Sequence, residues 1–321
     1  MKLRYLIILF LVNISCSEKS ENSDKIHFQK TQLLTPEKTH EFTSFGDNLL
    51  FSKIHDIEMF NDKYYLTDIY QNKVFVFNKN WEFKDEFGSY GPGPSEFDGI
   101  SNIIFNKEFI GISDMESSTV KLFDKTNQFV KSIRRPYVVD SSMEFFMDDN
   151  NYIYQQTKRY DLISKYNFEG EIEDFFGSFE EDFSLPTKDR NNQQTNQWHV
   201  ALANNIMYAV NKCEPLIVTY DYQNRNKNVT YDLSKIEAIE SRIKFVNKEM
   251  GANPHTNVNY VLFSDIVVDD KNVYLLFIDH EGENQKVVSN KILHLTLQPN
   301  NKLEVAKVLH LNPYGWYQTF T

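Results

Sequence analysis

The chain has 321 residues, of which 34 are lysine or arginine and 45 are aspartate or glutamate, so its formal net charge is −11. Nucleic acids and anionic membrane surfaces attract basic proteins, and we therefore expect neither as a partner. Hydrophobic residues form 41% of the chain, which allows a large core, and the sequence contains two cysteines.

The N-terminus has the pattern of a secretion signal. Residues 1–15 join two basic residues to a short apolar run, which predicts a signal peptide too short to span a bilayer. The segment NISC, ending at Cys16, resembles the bacterial lipobox, in which the cysteine is lipidated after cleavage; Asn13 stands where leucine is usual. The alternative is an ordinary secretory peptide with an incidental cysteine. Cleavage would remove two basic residues and leave 32 against 45 acidic ones, a net charge of −13.

Residues 16–25 are polar and charged, without apolar periodicity, and predict a flexible tether. The same segment resembles the acidic signal that directs some Bacteroidota lipoproteins to the outer surface. We therefore expect a cell-envelope protein at the outer membrane, with exposure at the cell surface left open. The membrane contact would be made by the lipid anchor alone.

From residue 63 onward the chain repeats a three-strand pattern. Each copy has an apolar strand, a polar turn, a second alternating strand, a turn led by Asn or Asp in most copies, and a third strand. The residues that align near the end of the second strand in the five copies are Phe77, Phe123, Tyr166, Tyr220 and Leu295. Periods of ~40–50 residues with several strands each are typical of propeller blades. The sequence predicts an all-β propeller that occupies residues 26–321 as one domain.

Glycine and proline interrupt the pattern at GSYGPGPSEFDGI, residues 88–100. Glycine permits positive φ, whereas proline fixes φ and lacks an N–H, so neither adjoining sheet can continue through this loop. We predict that the loop carries the chain from the outermost strand of one blade to the innermost strand of the next.

The stretch VFVFNKNWEFKDEFGSYGPGPSEF, residues 74–97, resembles the strand-turn-strand and G-x-G-P-x-E-F loop of the six-bladed β-propeller lipoproteins of Bacteroidota, which are related to NHL-repeat propellers. The resemblance extends more weakly over about residues 40–311 and implies six blades. Only one strand can follow the fifth copy. A sixth blade would need N-terminal strands near KIHFQK and NLLFSK, and five blades remain the alternative.

One segment departs from the β pattern and predicts a rim helix over residues 234–250. Ser234 and Glu237 form a capping box, and Gly251 is expected to end the helix. We expect the helix to pack against the propeller between the fourth and fifth blades, with a role as lid or partner surface as the alternative. The apolar residues on its predicted inner face are Ile236, Ile239, Ile243, Val246 and Met250.

Ligands of propellers usually occupy the central funnel, which is lined by the start of each blade's first strand. The aligned residues at these starts are His55, Ser101, Met143, His199 and Ser264. We take His55, Ser101, His199 and Ser264, together with the neighbouring Trp198, as the candidate ligand-binding residues. The resemblance to NHL-type propellers adds a second hypothesis, in which His55 and His199 face one another and bind a divalent metal, as in the His-ligated lyases. No third ligand occurs at an equivalent start, so we expect no cofactor.

Other candidate residues have structural explanations. Cys213 has no Cys or His at metal-binding spacing and is interpreted as a packed small hydrophobe rather than a nucleophile. The acidic pairs at residues 148–149 and 269–270 precede turns, where aspartate stabilises hairpins. The sequence has no phosphate loop, nucleophile elbow, H-E-x-x-H motif or paired CxxC motif.

Two classes of function compete at this stage. The first is a non-catalytic lipoprotein that binds a glycan, a peptide or a protein partner. The second is an NHL-type lyase or hydrolase with a metal in the funnel. We favour the first, because no catalytic constellation can be assembled from residues at matched positions; the ligand itself cannot be named from the sequence.

Overall fold

A computed structural model of the chain describes residues 33–34, 44–45, 49–136, 145–156, 161–178, 198–221, 226–252, 261–281, 286–298 and 302–311. The helix α1 spans Glu237–Ala252. The strands, in chain order, are β1 (Leu33–Leu34), β2 (Ser44–Phe45), β3 (Leu49–Leu50), β4 (Ile54–Phe60), β5 (Lys63–Asp68), β6 (Lys73–Asn78), β7 (Phe83–Phe87), β8 (Ile100–Phe105), β9 (Phe109–Asp114), β10 (Thr119–Asp124), β11 (Phe129–Arg134), β12 (Phe145–Met147), β13 (Tyr152–Gln156), β14 (Asp161–Asn167), β15 (Ile172–Ser178), β16 (Trp198–Ala203), β17 (Ile206–Asn211), β18 (Leu216–Asp221), β19 (Asn226–Asp232), β20 (Phe263–Asp269), β21 (Asn272–Glu281), β22 (Lys286–Leu297) and β23 (Leu303–His310).

The strands form propeller blades, as the repeat predicts. In the described residues, β4–β7, β8–β11, β12–β15, β16–β19 and β20–β23 make five antiparallel units of four strands, which we call the first to fifth blades. Neighbouring blades touch through their first strands, since β8 contacts β4 and β12, and β16 contacts β12 and β20. The first strands therefore converge, as expected of a propeller axis.

The core lies between blades rather than within one of them. Buried Tyr65 and Val76 of the first blade pack with Ile103 and Phe123 of the second. Each of the following pairs of neighbouring blades shares a cluster of the same kind. Since the two faces of an interior blade are both covered, its central strands have consecutive buried residues, as in KVFVFN and TVKLFD.

The aligned aromatic and aliphatic positions of the repeat share one structural role. Each is buried in the third strand of its blade, and each lies where the register with the fourth strand shifts by a β-bulge. A bulge increases strand twist, which the outer part of a blade requires. This common role confirms the predicted alignment of Phe77, Phe123, Tyr166, Tyr220 and Leu295.

The glycine-proline loop makes the predicted crossing between β7 and β8. Gly91 N–H donates to Phe97 O at 3.1 Å, and Glu96 Oε2 accepts from Gly93 N at 2.8 Å. Gly91 has φ of +150°, and a Cβ there would lie 2.3 Å from Glu96 Oε2. Lys121 Nζ donates to the carbonyls of Gly93 and Glu96, so the loop is fixed to the second blade.

The helix exists, but its predicted ends are wrong. It begins at Glu237 rather than after Ser234, because Asp232 Oδ1 accepts from Ser234 N at 2.8 Å and a tight turn follows. It continues through Gly251 to Ala252. The inner face is confirmed for Ile236 and Ile239, which are buried with the core of the fourth and fifth blades, and for Ile243, which packs against that core; Val246 is also buried.

An N-terminal strand extends the fifth blade at a place that the sequence did not indicate. β1 pairs in parallel with β23, as Leu33 with Val308 and Leu34 with Leu309, and becomes a fifth strand at the outer edge of the fifth blade. The segment NLLFSK contributes β3, which pairs with β2 in a two-stranded sheet. The segment KIHFQK lies outside the described residues, as do the signal peptide, Cys16 and the tether.

Candidate functional site

The first strands of three blades carry a β-bulge where they begin. Pairing with the second strand shifts between Ile54 and Asp56, between Ile100 and Ile103, and between Phe263 and Asp265. Three of the predicted site residues, His55, Ser101 and Ser264, lie within these bulges. Bulges redirect side chains and are frequent beside binding sites.

The fourth blade has no such shift, which changes the predicted equivalence of the two histidines. In its regular ladder Trp198 pairs with Asn211 and His199 pairs with Val210. In the first blade it is Asp56, not His55, that pairs with the residue before the last of the second strand. His199 therefore corresponds to Asp56, and the alignment of His199 with His55 is wrong by one residue.

Asp56 and His199 both join a first strand to the next blade. Asp56 Oδ2 accepts from the backbone N–H of Ile103 at 2.9 Å. His199 is 3% exposed, and its Nε2 lies 3.1 Å from the carbonyl oxygen of Phe263. A carbonyl can only accept, so Nε2 carries the proton. These contacts give both side chains a structural role between blades.

Trp198 is buried in the core. It is 1% exposed and packs in a cluster with Tyr154 and Phe176 of the third blade and Met207 of the fourth. The sequence places it beside the candidate site, whereas its indole surface is covered by neighbouring side chains. Packing between the third and fourth blades accounts for this residue.

The two bulge serines differ in their hydrogen bonding. Ser264 Oγ lies 3.4 Å from the carbonyl of Leu276 and 3.2 Å from Ser289 Oγ. Ser101 is 1% exposed, and its Oγ has no hydrogen-bond partner within the described part of the chain. A buried polar group without a hydrogen-bond partner costs roughly 1–3 kcal/mol. Ser101 would therefore gain more stabilisation from a new hydrogen-bonding partner than Ser264 would.

The predicted site residues fall into two neighbouring pairs of strands. His55 and Ser101 lie on β4 and β8, which touch, and His199 and Ser264 lie on β16 and β20, which also touch. Met143 lies outside the described residues. Among the residues that the structure describes, no group of three His, Cys, Asp or Glu side chains is arranged to hold a metal ion.

Sequence reasoning missed a polar residue that ends the second strand in three blades. Asp68 accepts from the backbone N–H groups of Ser52 and Tyr70, Asp114 from that of Asp98, and Asn211 from that of Cys213. Each carboxylate or amide thus holds nearby loop backbone beside the first strand. The signal was present in the repeat, as YLTD, GISD and YAVN.

Two structural interpretations of single residues are confirmed. Cys213 is a free thiol and is buried. Asp148 accepts from the backbone N–H groups of Asn150 and Tyr152 and from the Tyr154 hydroxyl, so it stabilises the hairpin between β12 and β13. No helix within the described ranges has the length and apolar character needed to cross a membrane.

Comparison with known proteins agrees with this architecture. A model of a family described as a 6-bladed beta-propeller matches residues 45–317. No curated protein sequence gives a significant match. The family match begins before the five described blades, at Phe45 of β2, and it includes β3.

Solved structures share the fold at low identity. One such structure is a Bacteroides fragilis NCTC 9343 protein that is described as exported. It has 14% sequence identity to this chain and a TM-score of 0.54, and the match covers 87% of this chain and 75% of that chain. The β-propeller domain of Myceliophteria thermophila Cps50 (Swd1) has 6% identity and a TM-score of 0.51, with 82% and 74% covered. Virginiamycin B lyase from Staphylococcus aureus has 13% identity and a TM-score of 0.48, with 79% and 70% covered, which is too distant to bear on activity.

Proposed function

The chain belongs to the 6-bladed β-propeller family, and from that premise we propose that it is a lipid-anchored protein of the cell envelope that binds a glycan, a peptide or another protein without altering it chemically. The anchor is supported by the lipobox-like segment at Cys16 and the polar segment after it. The resemblance of residues 74–97 to Bacteroidota lipoproteins favours the outer membrane of such a bacterium.

The binding role depends on one observation, the recurrence of a β-bulge at the first-strand start in three blades. The bulges hold His55, Ser101 and Ser264, whose side chains offer hydrogen-bond donors and acceptors. Successive first strands contact one another, so a ligand at their starts would touch several blades at once. We call this candidate surface the bulge face.

Binding is favoured over catalysis by the partners of these side chains. A nucleophilic serine needs a base within hydrogen-bond reach. Ser264 Oγ instead contacts Ser289 Oγ and a backbone carbonyl, and the His199 ring is engaged with the carbonyl of Phe263. The hydroxyls are therefore suited to hold a ligand in place.

The proposal can be tested with the full-length chain and a Cys16→Ala variant in one experiment. Wild-type protein is expected in the membrane fraction and the variant in the soluble fraction. The soluble variant is then applied to arrays of bacterial glycans and of peptides. The mass of each retained probe is measured by mass spectrometry after its release. At least one probe should bind and return with its mass unchanged. Adding His55→Ala and Ser101→Ala should weaken its binding about tenfold through lost hydrogen bonds.

Ser132→Ala, at an exposed position of β11, is the matched control and should bind as tightly as the parent. Membrane retention of Cys16→Ala would refute the lipid anchor. A probe that returns cleaved would replace the binding role by a lyase or hydrolase. Equal affinity of the bulge-face variant and the control would refute the bulge face.

A further inference from the structure

A cleft of about 610 Å³ lies between the second and third blades, and none of its lining residues belongs to a first-strand bulge. Its walls are the turn between β9 and β10, the end of β11, and the turn between β14 and β15. Gly170, with φ of +83°, lets the last turn approach β11, since a Cβ there would lie 2.6 Å from the carbonyl oxygen of Arg134. The polar lining residues are Ser117, Ser118, Arg134, Arg135 and Glu169.

Two consecutive arginines contribute positive charge to this cleft. Arg134 is exposed, whereas Arg135 is buried and only 4% exposed. The Arg135 guanidinium donates to Ser113 Oγ through Nη2 and lies over the Phe145 ring at 5.2 Å. Its Nε is buried and has no hydrogen-bond partner among the described residues. A guanidinium can donate five hydrogen bonds, and the Nε donor of Arg135 has none to another described residue.

The buried charges near Arg135 do not balance. Asp114 and Lys121 are also buried, and Lys121 Nζ lies 3.3 Å from Asp114 Oδ2. Burial lowers the pKa of Arg135, and the opposing effects of Tyr166 and Asp114 are smaller, so the net shift is downward. Among the described residues, one buried carboxylate, that of Asp114, therefore interacts with both of these buried cations. Glu169, at the cleft, is exposed and is paired with Lys131 at 3.2 Å.

We propose that this cleft is an oxyanion-binding subsite, in which Arg135 and Arg134 bind a carboxylate, sulfate or phosphate group of a ligand. An anion there would balance the excess buried charge, and removing a cation from water without a partner is costly. Guanidinium groups match the planar geometry of such oxyanions. The hydroxyls of Ser117 and Ser118 supply further donors at the same wall.

The test uses three probes, glucuronate, sulfate and inorganic phosphate, titrated calorimetrically into the mature chain at low salt. At least one should bind with one-to-one stoichiometry. Arg135→Gln should weaken that binding at least about tenfold, since charge-assisted hydrogen bonds are lost. Arg134→Gln and Ser117→Ala should weaken it to a smaller extent. Lys84→Gln, which removes an equal charge from an exposed ion pair on β7, is the matched control and should bind like wild type.

Because Arg135→Gln replaces a buried residue and can impair folding, circular dichroism accompanies each titration. Arg134→Gln, at an exposed position, provides a second measurement. The subsite is refuted if no probe binds wild-type protein, or if folded Arg135→Gln and Arg134→Gln bind as tightly as Lys84→Gln. These probes and variants do not involve the bulge face. Either proposal can therefore fail while the other stands.

Discussion

Side chains at the start of the first strands have two different roles. The role depends on whether the residue lies within the bulge or at the regularly paired position next to it. Within the bulges, His55, Ser101 and Ser264 occupy positions without a regular partner in the ladder. At the regularly paired position, Asp56 and His199 hydrogen-bond to the backbone of the next blade. The first set belongs to the proposed bulge face, whereas the second set joins neighbouring blades.

Asp56→Ala should lower the stability of the protein. The change leaves the N–H of Ile103 without its acceptor between two blades, at a cost of roughly 1–3 kcal/mol. Urea denaturation followed by circular dichroism measures this free energy of unfolding. Asp98→Ala, at an exposed aspartate in the loop before β8, is the matched control and should unfold like wild type. Equal midpoints for the two variants would contradict the structural role of Asp56.

The positions of the strands were predictable, and the bulges at the first-strand starts were not. Phe77 and Phe123 could be aligned because burial on both blade faces leaves a strong apolar pattern. A bulge adds a backbone residue without changing that pattern, so the alignment of His199 with His55 failed. The burial of Trp198 depends on the neighbouring third blade, which local sequence does not reveal.

The elements at the edges were harder to predict than those inside. The inner face of α1 follows from its apolar spacing, but its start depends on a competing turn at Asp232. β1 has two residues, and its only signal is a pair of leucines. It nonetheless covers the edge of β23, where free N–H and C=O groups would otherwise invite association between chains.

Replacing Leu33 and Leu34 together by proline should destabilise the fifth blade. Proline removes backbone donors from β1, and each lost hydrogen bond costs about 0.5–1.5 kcal/mol. Thermal melting and light scattering report the two consequences, a lower midpoint and more aggregation. The matched Leu33→Ala, Leu34→Ala protein keeps its donors and should lose less. If the proline protein melts no earlier than the alanine protein, the pairing of β1 does not stabilise the fifth blade.

Across the molecule, the core shared between neighbouring blades unites the five described blades into one ring-like unit. Successive first strands contact one another, so their starts place residues of neighbouring blades side by side. The acidic charge of −11 makes the cationic cleft between the second and third blades locally unusual. A ligand with several hydrogen-bonding groups would use the convergence of blades, whereas a single oxyanion would use the cleft.

Hydrogen–deuterium exchange tests the central claim, binding at the bulge face, most directly. The mature chain is measured alone and with the glycan or peptide that the arrays select. We predict slower exchange in the bound state at residues 54–56, 100–103 and 263–265, because a ligand there shields and orders the three bulges. Protection confined to the outer hairpin at residues 279–281 and 286–290, with none at the bulges, would contradict the account.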